Sequence, residues 1–333
     1  MTEGVKLLLY FILSIAISAV FAPFVIKLMT RLKAKQTVLG YVTQHQYKTG
    51  TPTMGGFIFL LPAFIFALVE FNMLSIVALA LSLGFCVLGF LDDFIKVKFS
   101  RNLGLKAYQK VIGQLGLAGV ASYFCYSSEF IGASINLPFS DVVLNLSWGI
   151  IPLCIVVFVA TTNSVNLTDG LDGLAGYSSA AYFLGFTILL FLTYLDEKSA
   201  GNLAYAEELF GLATLSTATL GGLFGYLLFN SYPSKIMMGD TGSLALGAMC
   251  AGIAIFSKNP LLILSSGIMF VWSSISVILQ VLFFKLTKKR IFLMAPFHHH
   301  LEMKGLHESK IVTIYFVASL IGGAITLIGS RVV

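Results

Sequence analysis

The stretch LLLYFILSIAISAVFAPFVI, residues 7–26, has 20 consecutive residues without a charged side chain. A helix needs about 20 predominantly apolar residues to cross a bilayer, so this stretch predicts a membrane span. No small-residue cleavage site clearly follows it. We therefore interpret it as a retained first span and not as a removed signal peptide.

The rest of the chain repeats this pattern. Its 333 residues are 57% hydrophobic and only 11% charged, whereas soluble domains carry about 25% charged residues. We predict an all-α polytopic integral membrane protein that forms a single transmembrane domain over residues 1–333, with ten transmembrane helices. The predicted spans are residues 7–27, 55–72, 74–91, 109–127, 147–163, 173–194, 206–229, 241–257, 260–285 and 311–329.

The distribution of basic residues predicts the orientation. With ten spans, 17 of the 21 basic residues and 7 of the 15 acidic residues fall in or beside the loops that follow the odd-numbered spans. That side therefore has a net charge of +10, against −4 on the other side. Because cytoplasmic loops are rich in Lys and Arg, we expect both termini to be external and the long loops to be cytoplasmic. The positive face also favours an anionic substrate or lipid headgroup.

Two adjacent carboxylates, Asp92 and Asp93, end the third predicted span. Lys96 lies four and three residues beyond them, so all three side chains can share one helical surface. An ion pair at a helix end is one interpretation of this pattern. A general base or a metal-linked catalytic pair is the other, because charged groups at membrane depth are costly and frequently functional.

A second set of polar residues, Asn163, Asn166, Asp169 and Asp172, recurs every three residues, which on a helix would place them along one face. One of them could simply cap a helix, but a single cap does not explain four polar groups. Asp240 starts the eighth span after a Met-Met-Gly segment, and we expect it to lack a paired lysine. This oxygen-rich set fits Mg²⁺ better than zinc. Asp240 is the preferred metal ligand, and the side-chain oxygen of Asn166 is a candidate second ligand.

Other polar residues suit an anionic substrate. Loop 45–56 combines Gly, Thr and one lysine without the order of a Walker A loop. A histidine triplet occurs in the last cytoplasmic loop, where neighbouring lysines favour anion binding over a cation cage. The catalytic candidates are Asp92, Asp93 and Asp240. The substrate-binding candidates are Lys48, Lys110, Asn163, Asn166, Asp169, Asp172, Asn230, Gln280, His298, His299 and His300.

Five segments together resemble the MraY family of phospho-N-acetylmuramoyl-pentapeptide transferases, within the polyprenyl-phosphate N-acetylhexosamine-1-phosphate transferase superfamily. They occur in the family's order and extend over nearly the whole chain. The acidic segments are shared across the superfamily, whereas TPTMGG and the histidine triplet indicate this branch. The segments are TPTMGG (51–56), LDDF (91–94), NSVNLTDGLDGLA (163–175), MGDTGS (238–243) and APFHHH (295–300).

The resemblance implies transfer of phospho-MurNAc-pentapeptide from UDP-MurNAc-pentapeptide to undecaprenyl phosphate, with Mg²⁺, giving lipid I and UMP. It also implies a multi-pass protein of the bacterial inner membrane, a cytoplasmic site, a homodimer and inhibition by nucleoside antibiotics. The lipid bilayer is an expected partner, and nucleic acid is not. In one mechanism, Asp92 is the base that takes the proton from the lipid phosphate. In the alternative, Asp93 forms a covalent intermediate.

Two other functions compete with this one. A related transferase would use UDP-GlcNAc to make other envelope polymers. A transporter could also carry intramembrane acids, but it should place them near the middle of the bilayer and show repeated halves. The acids here lie at predicted helix ends and no repeat is visible, so the sequence favours an enzyme.

Overall fold

The computed structural model describes residues 2–34, 50–99 and 104–330. Apolar runs form helices because a bilayer offers no water to satisfy the backbone polar groups. The helices are α1 (Glu3–Arg31), α2 (Phe57–Val69), α3 (Met73–Lys98), α4 (Ala107–Ser127), α5 (Ile150–Thr168), α6 (Leu174–Ser199), α7 (Leu203–Asn230), α8 (Gly239–Phe256), α9 (Ile263–Ser266), α10 (Ile268–Thr287), α11 (Phe297–Met303) and α12 (Glu308–Gly329). The strands are β1 (Ser134–Asn136) and β2 (Val143–Asn145).

Eight helices in the described ranges are long and apolar enough to cross a membrane, namely α1, α3, α5, α6, α7, α8, α10 and α12. The second predicted span corresponds to α2, a shorter apolar helix of 13 residues. The fourth corresponds to α4, which has 21 residues but is not among the eight. The predicted polytopic helical architecture is therefore confirmed.

The central layer consists of α7 and α8, whose apolar windows are 83% and 89% buried. Helix α3 packs along α8, and both α1 and α6 pack along α7. By contrast, the windows of α1 and α10 are 28% and 22% buried, so these helices lie at the periphery. The start of α8, where Asp240 lies, is therefore surrounded by other helices.

Three features of the fold differ from the prediction. The predicted ninth span is broken at Gly267, where the short helix α9 ends and α10 begins. A two-stranded antiparallel hairpin, β1–β2, lies between α4 and α5, so the chain is not entirely α-helical. The last long loop contains the helix α11, which carries the histidine triplet.

Candidate active site

The three acidic residues singled out as catalytic come together in the structure. Asp92 and Asp93 lie near the end of α3, and Asp240 lies in the first turn of α8. Each offers a carboxylate oxygen, and these oxygens lie within 4.8 Å of one another. These three carboxylates, from two helices, therefore form one cluster, which we call the acidic cluster.

The contact between α3 and α8 creates this cluster. Gly89 lies one helical turn before Asp93, and a Cβ atom there would overlap the backbone carbonyl of Asp240. The missing side chain lets the start of α8 approach α3 closely. Asp93 links α3 to α8, because its Oδ2 accepts hydrogen bonds from the backbone N and the Oγ1 of Thr241, at 2.9 and 2.7 Å.

Two lysines partly neutralise the negative charge of the acidic cluster formed by Asp92, Asp93 and Asp240. Lys96 Nζ lies 2.6 Å from Asp92 Oδ2, 3.2 Å from Asp240 Oδ2 and 3.6 Å from Asp93 Oδ1. Lys110 Nζ donates to Asp240 Oδ2 at 2.6 Å. The shared helical surface of Asp92, Asp93 and Lys96 is confirmed. The expectation that Asp240 lacks a paired lysine is wrong, because folding brings α3 and α4 against the start of α8.

Amide side chains from α5 and α4 orient this cluster. Asn166 Nδ2 donates to Asp240 Oδ1 at 2.8 Å and also to Ser243 Oγ. Asn163 Nδ2 donates to Gln114 Oε1 at 2.8 Å, which joins α5 to α4. Gln114 is fully buried and lies one turn after Lys110, so this pair holds α4 against α5 close to the lysine. Gln114 was not among the residues predicted from sequence, although an amide in an apolar span is a visible signal.

The Asn/Asp motif, residues 163–172, is divided between a helix and a turn. Helix α5 ends at Thr168 and α6 begins at Leu174, so Asp169 and Asp172 do not continue the helical face of Asn163 and Asn166. We call residues 169–173 the acidic turn. The prediction of four residues on one helical face is therefore correct only for the first two.

The loop that follows α7 holds the acidic turn. Asp172 Oδ2 accepts a hydrogen bond from Ser234 N at 2.9 Å. Asn230 Oδ1 accepts one from Gly173 N at 3.0 Å, and its Nδ2 donates to Ile236 O. Asn230 and Asp172, both candidate substrate residues, therefore join the turn to this loop.

The histidine triplet lies beside the acidic turn, but its three members differ. His298 is fully buried, and its ring contacts Gly170. His299 is partly exposed, and its Nδ1 lies 2.6 Å from Glu302 Oε2. His298 therefore packs against the acidic turn and supports its position. The candidate Lys48 lies outside the described residues.

His300 and Gln280 shape the loop before α11. His300 Nδ1 accepts a hydrogen bond from Leu293 N at 3.1 Å. Gln280 Oε1 accepts hydrogen bonds from Ile291 N and Phe292 N, at 3.1 and 2.9 Å. Gln280 is thus engaged in holding the loop, which supports a structural role for this candidate. Burial, followed by the nearby charge of Lys304, lowers the pKa of His300 below its ordinary value.

Comparison with known proteins identifies the family. The chain matches the model of glycosyl transferase family 4 over residues 74–258. It is 41% identical over 322 residues to a phospho-N-acetylmuramoyl-pentapeptide-transferase of Halalkalibacterium halodurans, covering 95% of this chain and 94% of that protein. A protein of the same name from Desulfitobacterium hafniense is 39% identical over 321 residues, covering 95% of both chains. The chain belongs to the phospho-N-acetylmuramoyl-pentapeptide-transferase family.

The match to glycosyl transferase family 4 ends at residue 258. The acidic cluster and the acidic turn therefore lie within the matched part of the chain, and α11 with its histidines lies beyond it. The similarity to phospho-N-acetylmuramoyl-pentapeptide transferases nevertheless extends over nearly the whole length. A third such protein, from Clostridium kluyveri, is 41% identical over 321 residues, or 95% of this chain. The family resemblance stated from the motifs is thereby confirmed.

Proposed function

We propose that this chain transfers phospho-MurNAc-pentapeptide from UDP-MurNAc-pentapeptide to undecaprenyl phosphate, giving lipid I and UMP. Its membership of the transferase family supports this reaction. The observation that carries the proposal is the meeting of three carboxylates and two lysines at the ends of buried helices. A site of this composition suits the transfer of an anionic phosphoryl group at a membrane surface.

The charges of the site address the main obstacle to this reaction. Both substrates are anionic and repel each other, and the three carboxylates alone would add to that repulsion. Lys96 and Lys110 offset two of the three negative charges. In the reaction, an oxygen of the lipid phosphate bonds to the β-phosphorus of the donor. The bond between that phosphorus and the bridging oxygen breaks, and UMP leaves with the bonding electrons.

The acidic cluster fits a hard divalent cation such as Mg²⁺, because three carboxylates offer closely spaced oxygen ligands. We propose Asp240 as the principal ligand, with Asn166 in support. When bound, the metal would neutralise charge that develops on the bridging phosphates. Asn166 donates its amide nitrogen to Asp240 in this structure, so it already fixes the direction of that carboxylate.

Asp92 and Asp93 have different surroundings. Asp93 receives two hydrogen bonds from Thr241, which favours an anchoring role. Asp92 lies 2.6 Å from Lys96 Nζ, and we propose it as the base that accepts the proton of the lipid phosphate. The alternative is a two-step route through a phosphorylated Asp93. Recovery of a phosphoryl group on Asp93 from enzyme quenched during turnover would support that alternative.

The donor is expected to contact the acidic turn and the nearby histidine helix. Asp169 and Asp172 can accept hydrogen bonds from sugar hydroxyl groups, whereas His299 and His300 can donate to sugar or phosphate oxygens. We propose Lys48 as a further donor to the phosphates. The contact between His298 and Gly170 supports this arrangement, because it places α11 against the acidic turn. Asn163, Asn230 and Gln280 would then position this surface.

The proposed setting is a bacterial inner membrane crossed ten times, with external termini and the active site on the cytoplasmic face. The distribution of lysines and arginines supports this orientation. We also propose a homodimer and inhibition by nucleoside antibiotics, both on the basis of the family resemblance. In the transporter alternative, the acids should lie near mid-membrane, whereas Asp92, Asp93 and Asp240 lie near helix ends.

A donor-specificity assay tests the function. Purified chain is mixed with undecaprenyl phosphate, Mg²⁺ and either UDP-MurNAc-pentapeptide or UDP-GlcNAc, and the release of UMP is measured. We expect release only with UDP-MurNAc-pentapeptide, and its loss when the metal is chelated. Release with UDP-GlcNAc alone would instead indicate the related transferase.

The surroundings of His300 predict how donor binding depends on pH. Neutral His300 accepts the N–H of Leu293 at Nδ1, and a protonated ring cannot. Because the pKa of His300 is lowered, this bond is complete above the ordinary histidine pKa and is lost as pH falls through the lowered value. We therefore expect a uridine-containing donor analogue to bind with constant affinity at neutral pH and more weakly in acid.

The added charge of a protonated histidine would by itself predict tighter binding of an anionic donor in acid. The bond between His300 and Leu293 predicts the opposite. The measurement is a titration of the analogue between about pH 8 and pH 5, in the wild type and in His300→Ala. The variant should bind weakly throughout and lose most of the pH dependence. Tighter binding by the wild type as the pH falls would contradict this role for His300.

A further inference from the structure

Glu308, in the first turn of α12, is a buried carboxylate that the proposed reaction does not use. Its side chain is only 6% exposed. Its Oε1 accepts a hydrogen bond from the backbone N–H of Asp172, which lies 136 residues earlier in the chain. Burying a carboxylate is costly unless hydrogen bonds compensate for the lost water. The bond to the acidic turn is one such compensation.

The acidic turn is also attached to α12 by apolar packing. Leu171 and Leu174, which flank Asp172, belong to a separate hydrophobic cluster with Ile311 and Tyr315 of α12. Both leucines are fully buried. Helix α12 therefore fixes the position of the turn through apolar contacts, while Glu308 adds a directional contact to one particular N–H group.

Consecutive backbone N–H groups of the turn are held by side chains from different helices. The N–H of Asp172 donates to Glu308 of α12, and the N–H of Gly173 donates to Asn230 of α7. The carboxylate of Asp172 in turn accepts the N–H of Ser234. The direction of the Asp172 side chain therefore depends on both neighbouring elements.

We propose that Glu308 is a positioning residue that orients the acidic turn for the donor by accepting the N–H of Asp172. The proposal rests on the proposed function for the assignment of Asp169 and Asp172 to the donor. It requires an acceptor atom at the right distance, and it does not require the negative charge. Gln supplies such an atom at the same chain length, whereas Ala supplies none and Asp is one methylene shorter.

Steady-state kinetics of the full chain in detergent test this role. We expect Glu308→Ala and Glu308→Asp to raise the KM for UDP-MurNAc-pentapeptide by about tenfold or more, because the turn loses a buried hydrogen bond. The KM for undecaprenyl phosphate should not change. Glu308→Gln should restore the donor KM to within about threefold of the wild type. Glu308→Asp retains the charge at the helix start, so it provides the test if the Ala variant does not fold.

Glu208 of α7 offers a matched control, because it bonds to the start of α3. Its carboxylate also accepts backbone N–H groups, from Met73 at 3.1 Å and Leu74 at 2.7 Å. Glu208→Ala removes the same kind of bond far from the acidic turn, so it should leave both KM values unchanged. Equal effects of Glu208→Ala and Glu308→Ala, or a wild-type donor KM in Glu308→Asp, would overturn the proposal.

Asp172→Asn separates this proposal from the function on which it rests. If Asp172→Asn raises the donor KM and neither Glu308→Ala nor Glu308→Asp does, the positioning role is wrong and the donor assignment stands. If Asp172→Asn leaves the donor KM unchanged, the assignment of the turn to the donor is wrong. The positioning proposal then falls with it.

Discussion

Asp240→Asn is expected to lower the rate of transfer by at least about 100-fold, while the protein stays folded. Asp240 accepts contacts from Lys96, Lys110 and Asn166, so its charge organises groups from three helices. The amide is similar in shape, but it cannot balance two ammonium groups and is a weaker ligand for Mg²⁺. The measurement is UMP release at several Mg²⁺ concentrations, together with the melting temperature.

Asp141→Asn is the control, because Asp141 is an exposed acid in the β1–β2 hairpin region and is not part of the acidic cluster. It should retain the wild-type rate. Ordinary turnover of Asp240→Asn at saturating Mg²⁺ would show that Asp240 is neither the principal metal ligand nor needed to organise the lysines.

Gly89→Ala is expected to reduce transfer to a similar extent, although Gly89 carries no functional group. The added methyl group would overlap the backbone carbonyl of Asp240, and a backbone cannot swing aside as a side chain can. The start of α8 must therefore move away from Asp92 and Asp93. A displacement of about 1 Å at a catalytic group can cost on the order of 100-fold in rate. The rate of transfer and the melting temperature of the purified variant should be measured together.

Gly119→Ala in α4 is the matched control. Within the described ranges, and apart from the adjacent backbone of α4 itself, no atom lies within 4 Å of the Cβ that this change adds. In a helix, Ala is favoured over Gly by roughly 0.5–1 kcal/mol, so the control should retain its rate and its stability. A folded Gly89→Ala variant with wild-type activity would mean that the close contact of α3 and α8 does not set the geometry of the site.

The sequence predicted the parts of the site that depend on short spacing. Asp92 and Asp93 are four and three residues from Lys96, and helical geometry alone brings them together. The pairing of Lys110 with Asp240 was missed, because these residues are 130 positions apart and meet only when α4 packs against α3 and α5. The importance of Gly89 was equally hidden, since its effect depends on which backbone approaches it.

The sequence also predicted the helical membrane architecture, because hydropathy over about 20 residues is a strong signal. It did not predict the break at Gly267, which lies inside a continuous apolar segment, or the short helix α11, which lies inside a predicted loop. Both depend on local backbone geometry that hydropathy does not report. The prediction that the Asn/Asp motif forms one helical face is correct only for Asn163 and Asn166. The helix ends at Thr168, after which the chain is held by contacts from α7 and α12.

The long separation between Lys110 and Asp240 has a consequence for biosynthesis. Ribosomes add about 5–20 residues per second, so Asp240 is made roughly 10 s after Lys110. During that interval Lys96 can already pair with Asp92 and Asp93, which belong to its own helix. Lys110 must wait for α8. Insertion of α8 therefore neutralises the positive charge of Lys110, which an earlier helix has already brought to the membrane. The acidic cluster is completed only late in the synthesis of the chain.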